Sequence, residues 1–377
     1  MRVFIHIGHY KCGTTALQRR LVSQRSALAD QGILYPKIDH LRDGRRPLPN
    51  HSTLAFELLR ERSMPIPPWY RQRRADLIQT PSVELMRERM AVILGDAADR
   101  GADIILSSEE FMRFGDGAKS EGLVEELLAI LPGTDVVAFA HLRRPDAHMP
   151  SFYNQLVKLG SVATNLSNNL NDCLRPIHVE YNTALRPWVK ALGPDRVIVR
   201  RYEDREADIT DDFLAAVGLD VELAPDSERW ENERFPDMYV ETLRRWNQLR
   251  APQELTDRVM GAARMLATGR HADVKVDLLT NPARTELHQR FEGIDADLTD
   301  LLGRDSSLFP DRDEILIRDD KAMTDQQAHL EFGTELLEAA LLEDVTESSG
   351  SDSPAPLAAS KPSATKPLIS TVKRWLR

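Results

Sequence analysis

Residues 1–15, Met-Arg-Val-Phe-Ile-His-Ile-Gly-His-Tyr-Lys-Cys-Gly-Thr-Thr, limit what this chain can fold into more than any other stretch. Val3, Ile5 and Ile7 alternate with Phe4 and His6, the pattern of a strand, and the run breaks at Gly8. From Thr14 to about Asp30, Leu17, Leu21, Ala27 and Leu28 recur at helical spacing, and Gly32 stands where that helix would stop. A strand, a glycine-bounded loop and a helix N-terminus aim backbone N–H groups and a partial positive charge at one point, which suits a phosphate. The Gly8 to Gly13 spacing is that of a Walker A loop, but Gly13-Thr14-Thr15 replaces its Gly-Lys-Ser/Thr ending. The loop's lysine, Lys11, precedes the second glycine, and Thr14 stands where the Walker lysine would be. An ordinary Mg-ATP reading is weakened accordingly.

The rest of the chain can be placed around that unit. A short extended piece is expected at 32–36, a helix near 51–62 within an irregular excursion over 38–82, and a helix at 83–100. Apolar runs at 103–107, 136–140 and 196–201 predict further strands, separated by helices at 120–131, 145–159 and 180–192 and followed by one at 210–217. Strands alternating with helices, too far apart for hairpins, predict parallel pairing through right-handed crossovers. The fold class is therefore α/β: a three-layer parallel sheet with a P-loop-like phosphate-binding turn and a helical C-terminal part. In that part, helices are expected at 236–250, 252–267, 281–303 and 323–343, with an extended piece at 314–317. Ligands in such folds sit at the carboxyl ends of the strands. There lie Lys11 to Thr15, then Glu109 and Glu110, then Arg143.

Lys11-x-Gly13-Thr14-Thr15 after a hydrophobic strand resembles the 5′-phosphosulfate loop of sulfotransferases that use 3′-phosphoadenosine-5′-phosphosulfate (PAPS). Arg143-x-Pro145 with Ser151 eight residues after the arginine resembles the same family's 3′-phosphate motif, and Tyr202-Glu203-Asp204, Phe213-Leu214 and Gly218-Leu219 are a weaker third match. The resemblance covers about residues 1–220, and bacterial-type and carbohydrate-directed relatives look closer, because the C-terminal Arg-Lys-Gly segment of the cytosolic small-molecule branch is missing. It implies that Lys11, Cys12, Gly13, Thr14 and Thr15 bind the 5′-phosphate end, that Lys11 also stabilises the leaving phosphate, and that Arg143 and Ser151 hold the 3′-phosphate, with Arg144 as an alternative. Some carbohydrate-acting relatives use a glutamate as base, which points to Glu109, with Glu110 its competitor. His9, inside the loop, is a further candidate for contact with the acceptor or sulfuryl group. No cluster has metal-ligand spacing and the chemistry requires no metal, because positive side chains replace it. His6 and His141 read as core residues, and His178 is undecided.

Composition bounds these readings. The 377 residues contain no apolar run long enough to span a membrane, and the first strand begins too early to leave room for a signal peptide. Two cysteines, Cys12 and Cys173, make no disulfide framework, which fits a reducing, cytoplasmic setting. The net charge of −10 speaks against nucleic acid, yet residues 1–74 hold 14 Lys/Arg against 5 Asp/Glu, a net +9 that leaves −19 for the remainder. Arg42, Arg45, Arg46, Arg60, Arg62, Arg71, Arg73 and Arg74 crowd the excursion and could collect an anionic cofactor or acceptor, or form a solvated basic surface. The expected organisation is an α/β domain over 1–318, a helix over 319–346, a Ser/Pro/Ala linker over 347–366 and a short basic amphipathic end over 367–377 able to touch an anionic membrane surface. The acceptor of such an enzyme would be a carbohydrate, a lipid-linked molecule or another small hydroxyl compound, or less readily an amine. The rival readings are a P-loop nucleotide kinase or phosphotransferase using Mg-ATP, and a non-catalytic nucleotide-binding scaffold.

Overall fold

The computed structural model describes residues 1–39, 48–77, 79–160, 164–168, 176–203, 208–224 and 235–347. Arg42, Arg45, Arg46, Cys173, Asp204, the linker from 348 and the basic end lie outside them. The chain divides into two compact units: Met1–Met149 with Leu174–Asn232 and Arg284–Leu316, and Pro150–Cys173 with Glu233–Ala283 and Ile317–Arg377.

The first unit is built on five parallel strands, β1 (Arg2–His6), β2 (Ile33–Leu34), β3 (Asp103–Ser107), β4 (Asp135–Leu142) and β5 (Val197–Arg201), in the order β2-β3-β1-β4-β5. Register is set by burial on both faces: Phe4 pairs with Ile105 on one side and Val137 on the other, so these three point the same way. With Phe139 they form a core against Leu17 and Leu21 of α1 (Thr14–Ser23), Leu28 of α2 (Arg25–Asp30), and Phe213 and Leu214 of α9 (Ile209–Ala216). The opposite alternation, Val3, Ile5, Leu106 and Ala138, is equally buried. The intervening segments are α3 (Ser52–Glu61), α4 (Pro68–Asp76), α5 (Val83–Arg100), α6 (Leu123–Ala129), α7 (Pro145–Lys158) and α8 (Tyr181–Leu192), of which α8 packs on β4 and β5. The parallel three-layer α/β architecture predicted from the strand spacing is the one observed.

Two local expectations are corrected. The first helix is broken at Gln24 (φ −100°, ψ 14°), whose N–H still bonds Arg20 O while α2 restarts at Arg25. The Ser23 hydroxyl also donates to Arg20 O at 3.0 Å, a second bond to the same carbonyl at the break. The extended piece expected at 314–317 is a 3₁₀ turn, Arg312–Leu316. The apolar run Ile315-Leu316-Ile317 misled there, because the turn is held by long-range partners: Arg284 donates to Ile315 O at 2.9 Å, and Arg144 bonds Glu314 at 2.7 Å.

The second unit holds α10 (Val240–Gln248), α11 (Gln253–Thr268) and α13 (Asp325–Glu347), packed on one another beside a two-stranded parallel pair, β6 (Val276–Asp277) and β7 (Met323–Thr324). Helix α12 (Asn281–Leu301) begins in this unit and continues in the first. Buried Thr242 and His329 tie α10 to α13 at 2.7 Å.

One ion-pair cluster fixes the helix that follows the first strand. Arg20, its side chain 6% exposed, donates to Asp208 Oδ1 at 2.8 Å and Asp211 Oδ2 at 2.9 Å at the start of α9, and to Ala224 O. Replacing Arg20 with methionine keeps the stem but removes hydrogen bonds to two charged groups that remain half in water. The expected loss is about 1–3 kcal/mol in urea unfolding, with the fold unchanged by circular dichroism.

Candidate functional site

The site lies where the chain leaves the sheet in two directions. From the end of β1 it turns into α1, and from the adjacent end of β3, in register at His6 and Ser107, it turns into a 3₁₀ segment, Glu109–Gly115. A crevice at the carboxyl ends of such diverging strands is where open α/β sheets bind ligands.

The loop between β1 and α1 has three residues of positive φ: Gly8 (67°), Lys11 (62°) and Gly13 (73°). Gly8 is required twice over, because a Cβ there would sit 3.0 Å from Glu109 Cα. At Gly13 a Cβ would overlap the Ile209 side chain and reach the Tyr202 ring at 3.2 Å. Lys11 lacks glycine's freedom, so its left-handed conformation costs roughly 1–3 kcal/mol that the surrounding turn must hold. Strain of this kind concentrates at ligand clamps. Helix α1 starts at Thr14 without a side-chain cap, and although the Ala16 N–H bonds Gly13 O at 3.0 Å, the positive end of the helix favours an anion there. Thr14 is buried, while Lys11, Gly13 and Thr15 are half-buried at the rim.

Two carboxylates follow β3 and are held differently. Glu109 accepts a 3.0 Å hydrogen bond from Nε2 of the buried Gln18, which also reaches Ser107 Oγ at 3.3 Å and is itself held by Asn50 Nδ2 at 3.1 Å. Glu110 is deeper. It pairs with Arg113 Nη1 at 3.1 Å and accepts a bond from Tyr10, and the Ser108 hydroxyl accepts from its N–H at 3.1 Å. Burial, helped by the neighbouring Glu109 charge and opposed by Arg113, raises Glu110 to about 7.

At the end of β4 the two arginines separate in role. Arg144 is committed to Asp146 (2.7 Å), Asp311 (2.6 Å) and Glu314 (2.7 Å), which hold its charge in place and raise its pKa further. Arg143 instead makes one 3.2 Å bond to Glu203 and lies 5.5 Å over the Tyr202 ring, with its fork otherwise facing outward at 23% side-chain exposure. The Tyr181 hydroxyl donates to Arg143 O at 2.7 Å and its ring packs 5.2 Å from His9, which ties the end of β4 to the loop. Ser151 is buried on α7, in the part of that helix belonging to the second unit.

His9 does not face outward. It is fully buried, its ring 4.3 Å from that of His148 and tilted to it, and its Nε2 is 2.9 Å from Ile177 O. Burial lowers it to about 4, so it is neutral near pH 7. Cys12 is likewise buried. The structure thus brings Lys11, Gly13, Thr14, Thr15, Glu109 and Glu110 to adjoining strand ends, with Arg143 one strand further. Sequence reading missed Gln18, Tyr10 and Arg113 as the groups that set the carboxylates, and His148 and Tyr181 as the wall behind the loop. Gln18 was detectable, since it falls one helical turn beyond Thr14 on the same face; the others come from segments up to about 170 residues away.

No family model matches this chain, and no curated protein matches it. Among solved structures it is similar to a sulfotransferase from Alicyclobacillus acidocaldarius, over 81% of this chain and 97% of that one, at 16% identity and a TM-score of 0.37. A likeness that distant carries no functional argument, so the side chains above must supply it.

The raised pKa of Glu110 has a thermodynamic signature. Between the unfolded value of 4.5 and about 7 the folded protein holds a proton that the unfolded chain has lost, so stability falls as pH rises through that window. Wild type should therefore lose stability relative to Glu110→Gln from about pH 4.5 to 7, with the difference flat above it, in denaturant titrations at fixed ionic strength.

Proposed function

We propose that this protein is a sulfotransferase that moves the sulfuryl group of PAPS to a hydroxyl of a carbohydrate, lipid-linked or other small acceptor. The observation that carries the proposal is the pairing of a helix start without a side-chain cap, preceded by Lys11, with Arg143, whose side chain makes a single 3.2 Å ion pair to Glu203. A phosphate at the loop and a second phosphate one strand away is the pattern of a 3′,5′-bisphosphorylated nucleotide, and a triphosphate chain needs no cation at the second place. Tyr202 and Glu203 orient Arg143, and Thr14, Thr15 and Gly13 supply backbone and hydroxyl donors at the 5′ end. Ser151 is the assigned partner of the 3′-phosphate on sequence pattern alone.

In the transfer, the acceptor oxygen forms a bond to sulfur while the bond from sulfur to the bridging phosphate oxygen breaks. The electron pair stays on that oxygen, where Lys11 and the helix start neutralise it. Glu109 takes the acceptor proton, held on line by Gln18. Glu110, near neutrality and already engaged by Arg113 and Tyr10, is the competing base. In this scheme His9 supports the loop from within and does not touch the acceptor. The side chains named here supply all the positive charge the transfer uses.

Three variants test the assignment. Lys11→Ala should abolish release of 3′,5′-adenosine bisphosphate from PAPS in the presence of acceptor. Arg143→Ala should weaken binding of that bisphosphate by about tenfold or more, on the order of 1.5–3 kcal/mol for charged hydrogen bonds, while leaving the melting temperature of the free protein near wild type. Glu109→Gln should lower kcat by about 10²–10⁴-fold with little change in bisphosphate binding. Full activity in Glu109→Gln together with loss in Glu110→Gln would move the base to Glu110.

A further inference from the structure

We propose that His9, Cys12 and His148 form a binding site for one metal ion of the zinc class, built into the phosphate loop and separate from the transfer chemistry. One donor atom from each of the three fully buried residues lies within 4.8 Å of the other two. His9 and Cys12 are brought together by a tight turn in which the Cys12 N–H donates to His9 O at 3.4 Å. His148 comes from the first turn of α7, its ring 4.3 Å from that of His9 and tilted 55° to it. A tetrahedral ion with bonds of about 2.0–2.3 Å holds its ligand atoms roughly 3.3–3.8 Å apart, so a contraction of about an ångström completes the triad.

Metal-binding histidines have one ring nitrogen anchored by a hydrogen bond, and each of these imidazoles has such an anchor at Nε2. His9 donates from Nε2 to Ile177 O at 2.9 Å, which leaves the lone pair on Nδ1, a buried nitrogen without a hydrogen-bond partner. His148 Nε2 is bonded to His178 Nδ1 at 3.1 Å, which places the His148 lone pair on Nδ1 when Nε2 carries the proton. Two imidazoles and a thiol favour zinc or another borderline ion over magnesium or calcium. On binding, Cys12 loses its proton to solvent and the thiolate bonds the ion, offsetting part of its charge beside Lys11 and Arg143. A water takes the fourth position. Half-buried Lys11 and Gly13 flank the buried Cys12 in the chain. Occupancy would tie the loop to α7.

The test is cobalt substitution in the full-length chain, followed by competition with zinc. One equivalent of Co²⁺ should give visible bands of a tetrahedral ion and a near-ultraviolet thiolate-to-cobalt band, both bleached by one equivalent of Zn²⁺. Cys12→Ser, nearly isosteric, should remove the thiolate band, and His148→Ala should weaken binding about tenfold or more. Cys173→Ser should leave both bands intact. Absence of a one-to-one tetrahedral spectrum in wild type, or survival of the thiolate band in Cys12→Ser, would overturn the proposal. If His148→Ala fails to fold, Cys12→Ser decides alone.

Discussion

Everything in the candidate site depends on how the first strand leaves the sheet. Ile7 N–H bonds Phe139 O at 2.9 Å, one residue later Gly8 passes against the backbone of Glu109, and five residues after that Gly13 presses on Ile209 and Tyr202. Those contacts bring elements from the ends of β3, β5 and α9 onto a loop of a few residues. A side chain at either glycine would force the loop away from them, and the uncapped start of α1 would no longer face the same space as the carboxylates. The loop is therefore a product of the sheet order. With β1 flanked by β3 and β4, its exit has a carboxylate pair on one side and an arginine pair on the other.

Charge is divided between groups that hold the fold and groups left open to ligand. Arg20, Arg144 and Arg113 are engaged by the fold: the first binds two aspartates and a carbonyl, the second three acidic residues, the third Glu110 and Pro65 O at 2.6 Å. Arg143 has one long bond and an aromatic support. The same contrast separates the glutamates, since Glu110 has given its charge to Arg113 and Tyr10 whereas Glu109 has only a neutral amide. Arginines that neighbour each other in sequence thus do unrelated work, and the partners decide which.

The sheet was legible because buried parallel strands are continuous apolar runs and the helices between them end at glycines or prolines. The 83–100 helix, for example, is observed at Val83–Arg100, capped by the Ser82 side chain and closed by Gly101 in the left-handed region. The turn after the first strand could be read for the same reason: its glycines and the helix start lie within ten positions of one another. What could not be read depends on distant partners, as the contacts of Arg143 with Tyr202 and Glu203 do. The 3₁₀ turn at Arg312–Leu316 exists because Arg144 and Arg284 reach it, and nothing in the apolar run of 315–317 announces them. The histidine cluster draws on His9, His148 and His178, separated by up to about 170 residues, so no spacing rule could assemble it. Burial of His9 in turn reassigns a loop residue that, in sequence, looked ready to meet substrate.

The central claim is that this site holds a nucleotide by two separate phosphates, and calorimetric titration of the purified protein tests it most directly. With 3′,5′-adenosine bisphosphate, adenosine 5′-monophosphate and Mg-ATP compared side by side, the bisphosphate should bind at least about tenfold more tightly than either, a difference of about 1.4 kcal/mol for the 3′-phosphate alone. Equal affinity for the mono- and bisphosphate would remove the role given to Arg143. Preference for Mg-ATP would contradict the account as a whole and make phosphoryl transfer the primary reading.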